Sequence, residues 1–342
     1  MPLPGPVAVM GAGSVGCYVG GLLQAAGAEV HFIGRPRVLE ALRSEGLTLT
    51  SLDGARHTLP ASRLQLHDAP LHDEPPHDAP PHPAALVLLC VKSGATAEAA
   101  AQLARRLPAG TPVLSLQNGV ANADVGTTAA PTLTWIAGMV SFNIAELGPG
   151  HFHRGTVGPL AAQDHPALRP WLPLFSAAGL PLALHADLRP VLWGKLLLNL
   201  NNPVNALCGL PLRAQLLHRD CRQVLAALQQ EALGVMAAAG ITPARMTPLP
   251  PHLLPRVLRL PTWLFKMVAA RMLRIDDQAR SSMADDLALG RPTEVDALCG
   301  AVVRLAQAHG LQAPLCASMV QLLSVPKPLV LGGTALRQRL GV

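Results

Sequence analysis

The sequence predicts an α/β fold in two parts, a parallel-sheet N-terminal half followed by an all-helical C-terminal half. Three observations predict it. Short apolar runs alternate with helical periodicity as far as residue 187, the first of those runs breaks into closely spaced glycines, and from Val191 onward the pattern is almost entirely helical. The expected division is 1–187 and 188–342, with a ligand cleft between the two parts.

The first element is the apolar strand Val7-Ala8-Val9-Met10, which runs into Gly11-Ala12-Gly13-Ser14-Val15-Gly16. Each glycine answers a separate demand of a dinucleotide pyrophosphate: a tight turn at Gly11, close backbone approach to the phosphates at Gly13, and close helix–sheet packing at Gly16. A helix over Cys17 to Ala26, closed by Gly27, aims the N–H groups around Ser14 and Val15 at the anion. A second strand at Glu29 to Ile33 completes a βαβ unit, so the N-terminal half reads as a Rossmann-type dinucleotide-binding domain. Without a ligand the same residues are an ordinary strand–helix turn. After the second strand there is no acid for a ribose 2′-hydroxyl. Instead Gly34-Arg35-Pro36-Arg37 offers guanidinium groups suited to a 2′-phosphate, which favours NADP(H) over the plain alternative of two solvated arginines.

Composition excludes several classes. A chain of 342 residues that is 50% hydrophobic can bury two cores without disulfides or metals. The net charge of +6 comes from scattered Lys and Arg, and aromatics make up only 3%, so no basic run carries stacking platforms for nucleic acid. The positive balance fits an anionic cofactor and an anionic substrate. The six cysteines, at 17, 90, 208, 221, 299 and 316, show no CxxC pair and no metal-ligand spacing, and read as buried small hydrophobes of a reducing compartment. No apolar run reaches the ~20 residues of a membrane helix, and the chain enters its first strand without a basic signal region, so no membrane partner is expected and the cytoplasm is.

A five-residue repeat interrupts the first half: His67-Asp68-Ala69-Pro70-Leu71, His72-Asp73-Glu74-Pro75-Pro76, His77-Asp78-Ala79-Pro80-Pro81, then His82-Pro83. Its proline density predicts an extended, exposed loop over 67–83, whose histidines and carboxylates lack a preorganised metal geometry. Order resumes with the strand Leu86 to Val91, which leads into Lys92; a helix follows from Thr96 to Leu107, and the strand Pro112 to Leu116 ends in Gln117-Asn118-Gly119. Lys92 and Asn118 therefore sit at carboxyl ends of sheet strands, where open α/β sheets bind ligands. Further strands are expected at Ile136 to Phe142, Thr156 to Gly158 and Leu180 to Leu184.

In the helical half, Val224 to Ala239 and Glu294 to His309 are periodic runs stopped by Gly240 and Gly310, and a proline-rich passage from Pro243 to Pro261 connects helices. Lys195, Asn199 and Asn202 fall at i, i+4 and i+7, so they line one face of an apolar helix. A polar stripe there needs a wet cleft or a ligand, although a snorkelling lysine and loop-tying asparagines satisfy the same pattern. A cleft lysine loses pKa through desolvation and becomes a usable proton donor, which ketone reduction requires. Pro292 opens a helix with Glu294 in its first turn, where capping alone also accounts for a carboxylate. Ser282 reads equally as a helical serine.

Together these segments resemble the ketopantoate reductase (2-dehydropantoate 2-reductase) family. The residues that carry the resemblance are the glycine turn, Val91-Lys92-Ser93, Gln117-Asn118-Gly119, Lys195 with Asn199, Ser281-Ser282-Met283 with Asp286, and Gly290-Arg291 with Thr293-Glu294-Val295-Asp296. The resemblance implies NADPH-dependent reduction of ketopantoate to (R)-pantoate on the route to pantothenate and coenzyme A, with Lys195 as proton donor. It implies that Glu294 holds the reacting oxygen and the lysine, or the cofactor ribose. It further implies that Lys92 and Asn118 span cofactor and substrate, that Asn199 and Ser282, with Asn202, bind the substrate, and that the chain forms a homodimer through its helical half. The sequence departs from the family pattern in three places. Its Asn202-Pro203 pair falls one residue early, Leu212-Arg213-Ala214 stands near a further substrate asparagine, and the histidine–proline repeat is an insertion. A dehydrogenase of another 2-keto or hydroxy acid and a non-catalytic NADPH sensor are the alternatives. The joint presence of Lys195, Asn118 and Glu294 argues against the sensor, since binding NADPH needs no proton donor.

Overall fold

The structure, a computed structural model, describes residues 5–68, 84–270, 273 and 276–342. The chain divides after Leu188 into two compact units.

Among the described residues, twelve strands lie in the first unit: β1 (Val7–Met10), β2 (Val30–Gly34), β3 (Leu47–Ser51), β4 (Arg56–Leu59), β5 (Gln65–Asp68), β6 (Leu86–Leu89), β7 (Pro112–Ser115), β8 (Thr134–Val140), β9 (Ile144–Gly148), β10 (His151–Arg154), β11 (Leu160–Gln163) and β12 (Leu182–His185). Eight of them form one sheet in the order β12-β11-β8-β7-β6-β1-β2-β5. The run β8-β7-β6-β1-β2-β5 is parallel, with Val7 of β1 opposite Val30 on one side and Leu86 on the other. β1 and β6 are uninterrupted apolar runs because both of their faces are covered. From β1 the chain crosses to β2 and β5, then returns to place β6 on the opposite side of β1. The carboxyl ends of β1 and β6 are therefore the switch point of the sheet.

A second sheet, β4-β3-β10-β9, was not expected from the sequence. The helix Ser14–Ala25 contacts strands of both sheets, and its paired glycines show why. A Cβ at Gly20 would stand 2.6 Å from Val9 Cγ2, and one at Gly21 2.6 Å from Leu47 Cδ2. Strands β4 and β9 are mostly exposed, β10 buries only Phe152 among half-buried polar residues, and none of the three carries an apolar run, which is why periodicity does not reveal them. The strand expected at residues 156–158 does not form; that stretch connects β10 to β11.

The repeat also begins differently than expected. His67 and Asp68 belong to β5, opposite Ile33 and Gly34 of β2. His31 Nδ1 lies 2.9 Å from His67 Nε2 while its Nε2 lies 3.0 Å from Glu29 Oε1, and Arg43 pairs with Asp68 at 3.1 Å. These partners draw the first two repeat residues into the sheet. The remainder of the expected loop, 69–83, lies outside the described residues.

In the second unit the helix Arg219–Ala238 is the central element, with the helices Asn201–Cys208, Leu254–Leu258, Ala301–Ala308, Pro314–Leu323 and Gly333–Leu340 packed on it. The fully buried Arg222 donates to the carbonyls of Leu216, Leu217, Leu258 and Leu260 and to Thr262 Oγ1, and its guanidinium stands 4.4 Å from the Phe265 ring centre. Every guanidinium donor is thereby satisfied, which is what makes a buried arginine tolerable. Glu231 accepts from the first-turn N–H groups of Leu315 and Cys316 and so caps the Pro314–Leu323 helix from outside it. The cysteines are free thiols, with Cys208 and Cys221 Sγ 2.9 Å apart. Within the proline-rich passage, residues 251–253 form a 3₁₀ turn and Leu254–Leu258 a short helix, rather than a plain connection.

Candidate functional site

Two groups of the singled-out residues come together, one in each unit. In the first unit all of them fall at the carboxyl edge of the adjacent parallel strands β7, β6, β1 and β2. Gly11 has φ +109°, and a Cβ there would stand 2.5 Å from Val91 N and 2.6 Å from Cys90 C, so the glycine turn presses against the exit of β6. A Cβ on Gly16 would collide with the Gly11 carbonyl and Val9. Both glycines are required by the protein's own packing. Gly13 is not: it is exposed, φ is −96°, and nothing lies within 4 Å of where its Cβ would be. What its missing side chain leaves is room for a group from outside, beside the first-turn N–H donors of Ser14 and Val15, which have no acceptor within the helix. Ala12 is buried, and Gly11 and Ala12 both donate to the Ile33 carbonyl at 2.9 Å, which ties the turn to β2. This cradle fits a dinucleotide pyrophosphate.

Arg35 follows β2 directly and is exposed, at the start of a helix Pro36–Glu45. Arg37 turns instead to Glu146, at 3.7 Å. Lys92 is exposed just past β6, and Asn118 is half-buried just past β7. Between them runs a network of amides and hydroxyls. Gln117 Nε2 donates to the Val91 carbonyl (2.9 Å) and to Thr96 Oγ1 (2.8 Å), and its Oε1 accepts from Ser115 Oγ (2.9 Å). Thr96 Oγ1 donates to the Ser93 carbonyl at 2.8 Å. The Asn118 carbonyl accepts from Ser93 Oγ (2.7 Å) and Asn122 Nδ2 (2.6 Å).

In the second unit Lys195 lies half-buried in the helix Arg189–Asn199. Burial lowers its pKa to about 8, and the Glu294 carboxylate acts in the opposite direction, favouring the ammonium. The two residues assigned to catalysis therefore feel one another. Gly194 lets the segment after Pro243 close on this helix: a Cβ there would stand 2.5 Å from the Ala244 carbonyl oxygen, and Ala244 N donates to the Pro190 carbonyl at 2.7 Å.

Two expectations need correction here. The stripe Lys195, Asn199, Asn202 does not lie on one helix, because the helix ends at Asn199 and a second, Asn201–Cys208, begins beyond Leu200. Pro203 supplies the cause, since it has no N–H to give to the Asn199 carbonyl. Glu294 does not sit in the first helical turn but just before it, ahead of a π-helical stretch Asp296–Gly300 that leads into Ala301–Ala308. Arg213, which stands near the position of a family substrate asparagine, is engaged by Asp277.

Ser282 is exposed as the first residue of the helix Ser282–Ala288, whose N-cap is Ser281. Fully buried Asn205 brings that turn to the end of the Lys195 segment. Its Oδ1 accepts from Ser281 N (2.9 Å), its Nδ2 donates to the Leu210 carbonyl (2.8 Å) and Gln215 Oε1 (2.9 Å), and Ser281 Oγ lies 3.4 Å from the Asn202 carbonyl.

The comparisons with known proteins identify the family. Residues 7–166 match the family described as ketopantoate reductase PanE/ApbA, and residues 187–327 match its C-terminal part. The chain belongs to this family. A 2-dehydropantoate 2-reductase of Halobacterium salinarum is 30% identical over 323 residues, covering 92% of this chain and 97% of its own. The PanE/ApbA family ketopantoate reductase of Ralstonia eutropha JMP134 is 28% identical with a TM-score of 0.75, over 98% of this chain and 100% of its own. A D-mandelate dehydrogenase solved with NADH and anilino(oxo)acetate shares the fold, at 18% identity and a TM-score of 0.74, over 98% of this chain and 100% of its own. Membership in the ketopantoate reductase family makes the chain an oxidoreductase.

Sequence reasoning missed Thr96, Asn122 and Asn205, the buried residues that hold this reductase's polar loops. The one available signal was a polar residue inside an apolar helical run, as Asn205 is between Val204 and Ala206.

Proposed function

We propose that this reductase converts ketopantoate to (R)-pantoate with NADPH, Lys195 giving the proton. The observation that carries the reading is Lys195 itself, a lysine whose pKa is lowered to about 8 by burial while the Glu294 carboxylate favours its charged form. Bound NADPH supplies the hydride that reaches the ketone carbon. As that carbon becomes an alcohol, Lys195 Nζ delivers a proton to the oxygen, so no free alkoxide has to form. Glu294 keeps the lysine charged until then. Gly11, Ala12, Gly13, Ser14, Val15 and Gly16 cradle the pyrophosphate, and Arg35 meets the 2′-phosphate. Lys92 and Asn118 contact cofactor and substrate, Glu294 also contacts the cofactor, and Asn199, Asn202 and Ser282 bind the hydroxyl and carboxylate ends of the keto acid.

A cytoplasmic homodimer belongs to the same proposal. It is supported by Trp263 and Met267, one turn apart in the helix Thr262–Val268 and 66% and 68% exposed. Among the described residues no helix is long and apolar enough to cross a membrane. Light scattering that returns twice the chain mass supports the dimer, and a single chain mass removes it.

The test is loss of reduced-nicotinamide absorbance with ketopantoate, pyruvate, 2-oxoisovalerate and acetoacetate, each with NADPH and with NADH. Strong preference for ketopantoate and NADPH supports the reading. Preference for another acid supports a second reading, a reductase of a different 2-keto acid, which the Arg213–Asp277 pair near the place of a family substrate asparagine favours. Binding of NADPH with no turnover on any of the four acids overturns the ketopantoate reading and leaves an acid outside this set or a non-catalytic sensor.

A further inference from the structure

The network behind Lys92 and Asn118 has a property that neither residue's own role requires. Lys92 is bracketed on both sides: the carbonyl of Val91 before it is held by Gln117 Nε2, and the carbonyl of Ser93 after it by Thr96 Oγ1. Asn118 is fixed through its own carbonyl by Ser93 Oγ and Asn122 Nδ2. Gln117 joins the two brackets, since a single side-chain nitrogen spans the Val91 carbonyl and the Thr96 hydroxyl. Both of its amide N–H donors are used, and its oxygen accepts from Ser115 Oγ. Gln117 is 7% exposed and Thr96 fully buried, so water cannot replace either partner without opening the sheet edge. Glutamate has the same shape but no N–H to give, and would place a charge among carbonyl oxygens.

We infer that Gln117 is a positioning residue which, through Thr96, holds Lys92 and Asn118 in one fixed relation at the carboxyl edge of β6 and β7. The inference rests on the roles proposed above for those two residues. Gln117 touches neither cofactor nor substrate in this scheme; it sets the geometry in which Lys92 and Asn118 meet them. A displacement of about 1 Å in such groups costs on the order of 100-fold in rate.

The experiment is a double-mutant cycle on the full-length protein with Gln117→Met, Asn118→Ala and the pair, read by kcat and KM for the best keto acid. Amide hydrogen exchange of residues 91–96 and 117–122 is measured in parallel without cofactor. Gln117→Met should lower kcat by roughly 10- to 100-fold and speed exchange at both loops. The double variant should lose clearly less than the product of the two single losses, because the part of Gln117's effect that passes through the Asn118 side chain is already removed while the part that passes through Lys92 remains. Thr96→Val should reproduce the loss and Thr96→Ser restore near-normal turnover; this arm stands in if Gln117→Met fails to fold. Additive losses, normal turnover in both Gln117→Met and Thr96→Val, or exchange unchanged at both loops would overturn the inference. If Asn118→Ala itself leaves turnover and NADPH affinity intact, the proposed role of Asn118 fails instead, and that outcome is distinct from normal turnover in Gln117→Met alone.

Discussion

The sheet edge of the first unit and the Lys195 cluster of the second place polar groups by different means. At the sheet edge the glycine turn is fixed by main-chain hydrogen bonds and by close contacts that admit no side chain, and the loops beyond β6 and β7 are tied by amides and hydroxyls. None of those tying groups titrates near neutral pH. The helical cluster rests on an ammonium whose charge changes near pH 8, adjusted by burial on one side and a carboxylate on the other. The contrast separates two tasks. Holding a cofactor needs fixed donors, whereas delivering a proton needs a group that can lose one, and such a group brings pH sensitivity with it.

The largest expected effect isolates the second task. Lys195→Ala should lower turnover by roughly 10²–10⁴-fold and leave the NADPH dissociation constant, measured by nicotinamide fluorescence, within a factor of about two. Parallel loss of NADPH affinity would erase the division of labour. Arg35→Ala should do the converse, weakening NADPH by about 10- to 100-fold, the size of a charge-assisted hydrogen bond, with NADH binding unmoved. Equal weakening of both would remove the 2′-phosphate assignment.

A smaller effect tests the packing beneath the cradle. Gly16→Ala forces a Cβ onto the Gly11 carbonyl and should cost about 1–3 kcal/mol of stability in a denaturant titration, as overpacking does. An unchanged midpoint would mean the turn yields easily.

The pH dependence sharpens the helical side. In the proposed role Lys195 must be protonated to act, so kcat should fall as pH rises through about 8. Glu294→Gln removes the charge that favours the ammonium, so the descending limb should move to lower pH; a shift upward would mean Glu294 does not act on Lys195. Stability carries the same signature. The folded-state pKa lies below the 10.5 of a free lysine, so between about pH 8 and 10.5 the unfolded chain binds a proton the folded chain has released, and folding strengthens as pH rises. Below pH 8 the cost of the buried charge is fully present. Lys195→Met should therefore raise Tm at pH 7, with the gain shrinking toward pH 10.5.

Much of the first unit was legible because its signals are local. Alternating apolar runs located β1, β2, β6, β7, β8 and β12, and Gly11 and Gly16 stand where their spacing put them, Gly16 fixed by Gly11 and Val9 within one βαβ unit and Gly11 pressed by Cys90 and Val91 from beyond it. The second sheet was not legible. β10 carries one buried residue, Phe152, and its pairing with β3 joins residues about a hundred positions apart, beyond any window of periodicity. In the helical unit the i, i+4, i+7 pattern suggested a continuous face. Pro203 was visible in the sequence directly after Asn202, but the hydrogen bond it removes lies four residues back, at the Asn199 carbonyl in the middle of the stripe.

By itself the sequence determined the class of fold, the spacing of the glycine turn, and the residues worth assigning to chemistry, because each is read from neighbours close along the chain. Only the tertiary structure decided what those residues feel. Lys195 owes its pKa to burial and to a carboxylate 99 positions away, Asn205 reaches Ser281, and Lys92 is steadied by an amide from the next strand. Electrostatics and hydrogen bonding act through space, and spacing along a chain does not record them.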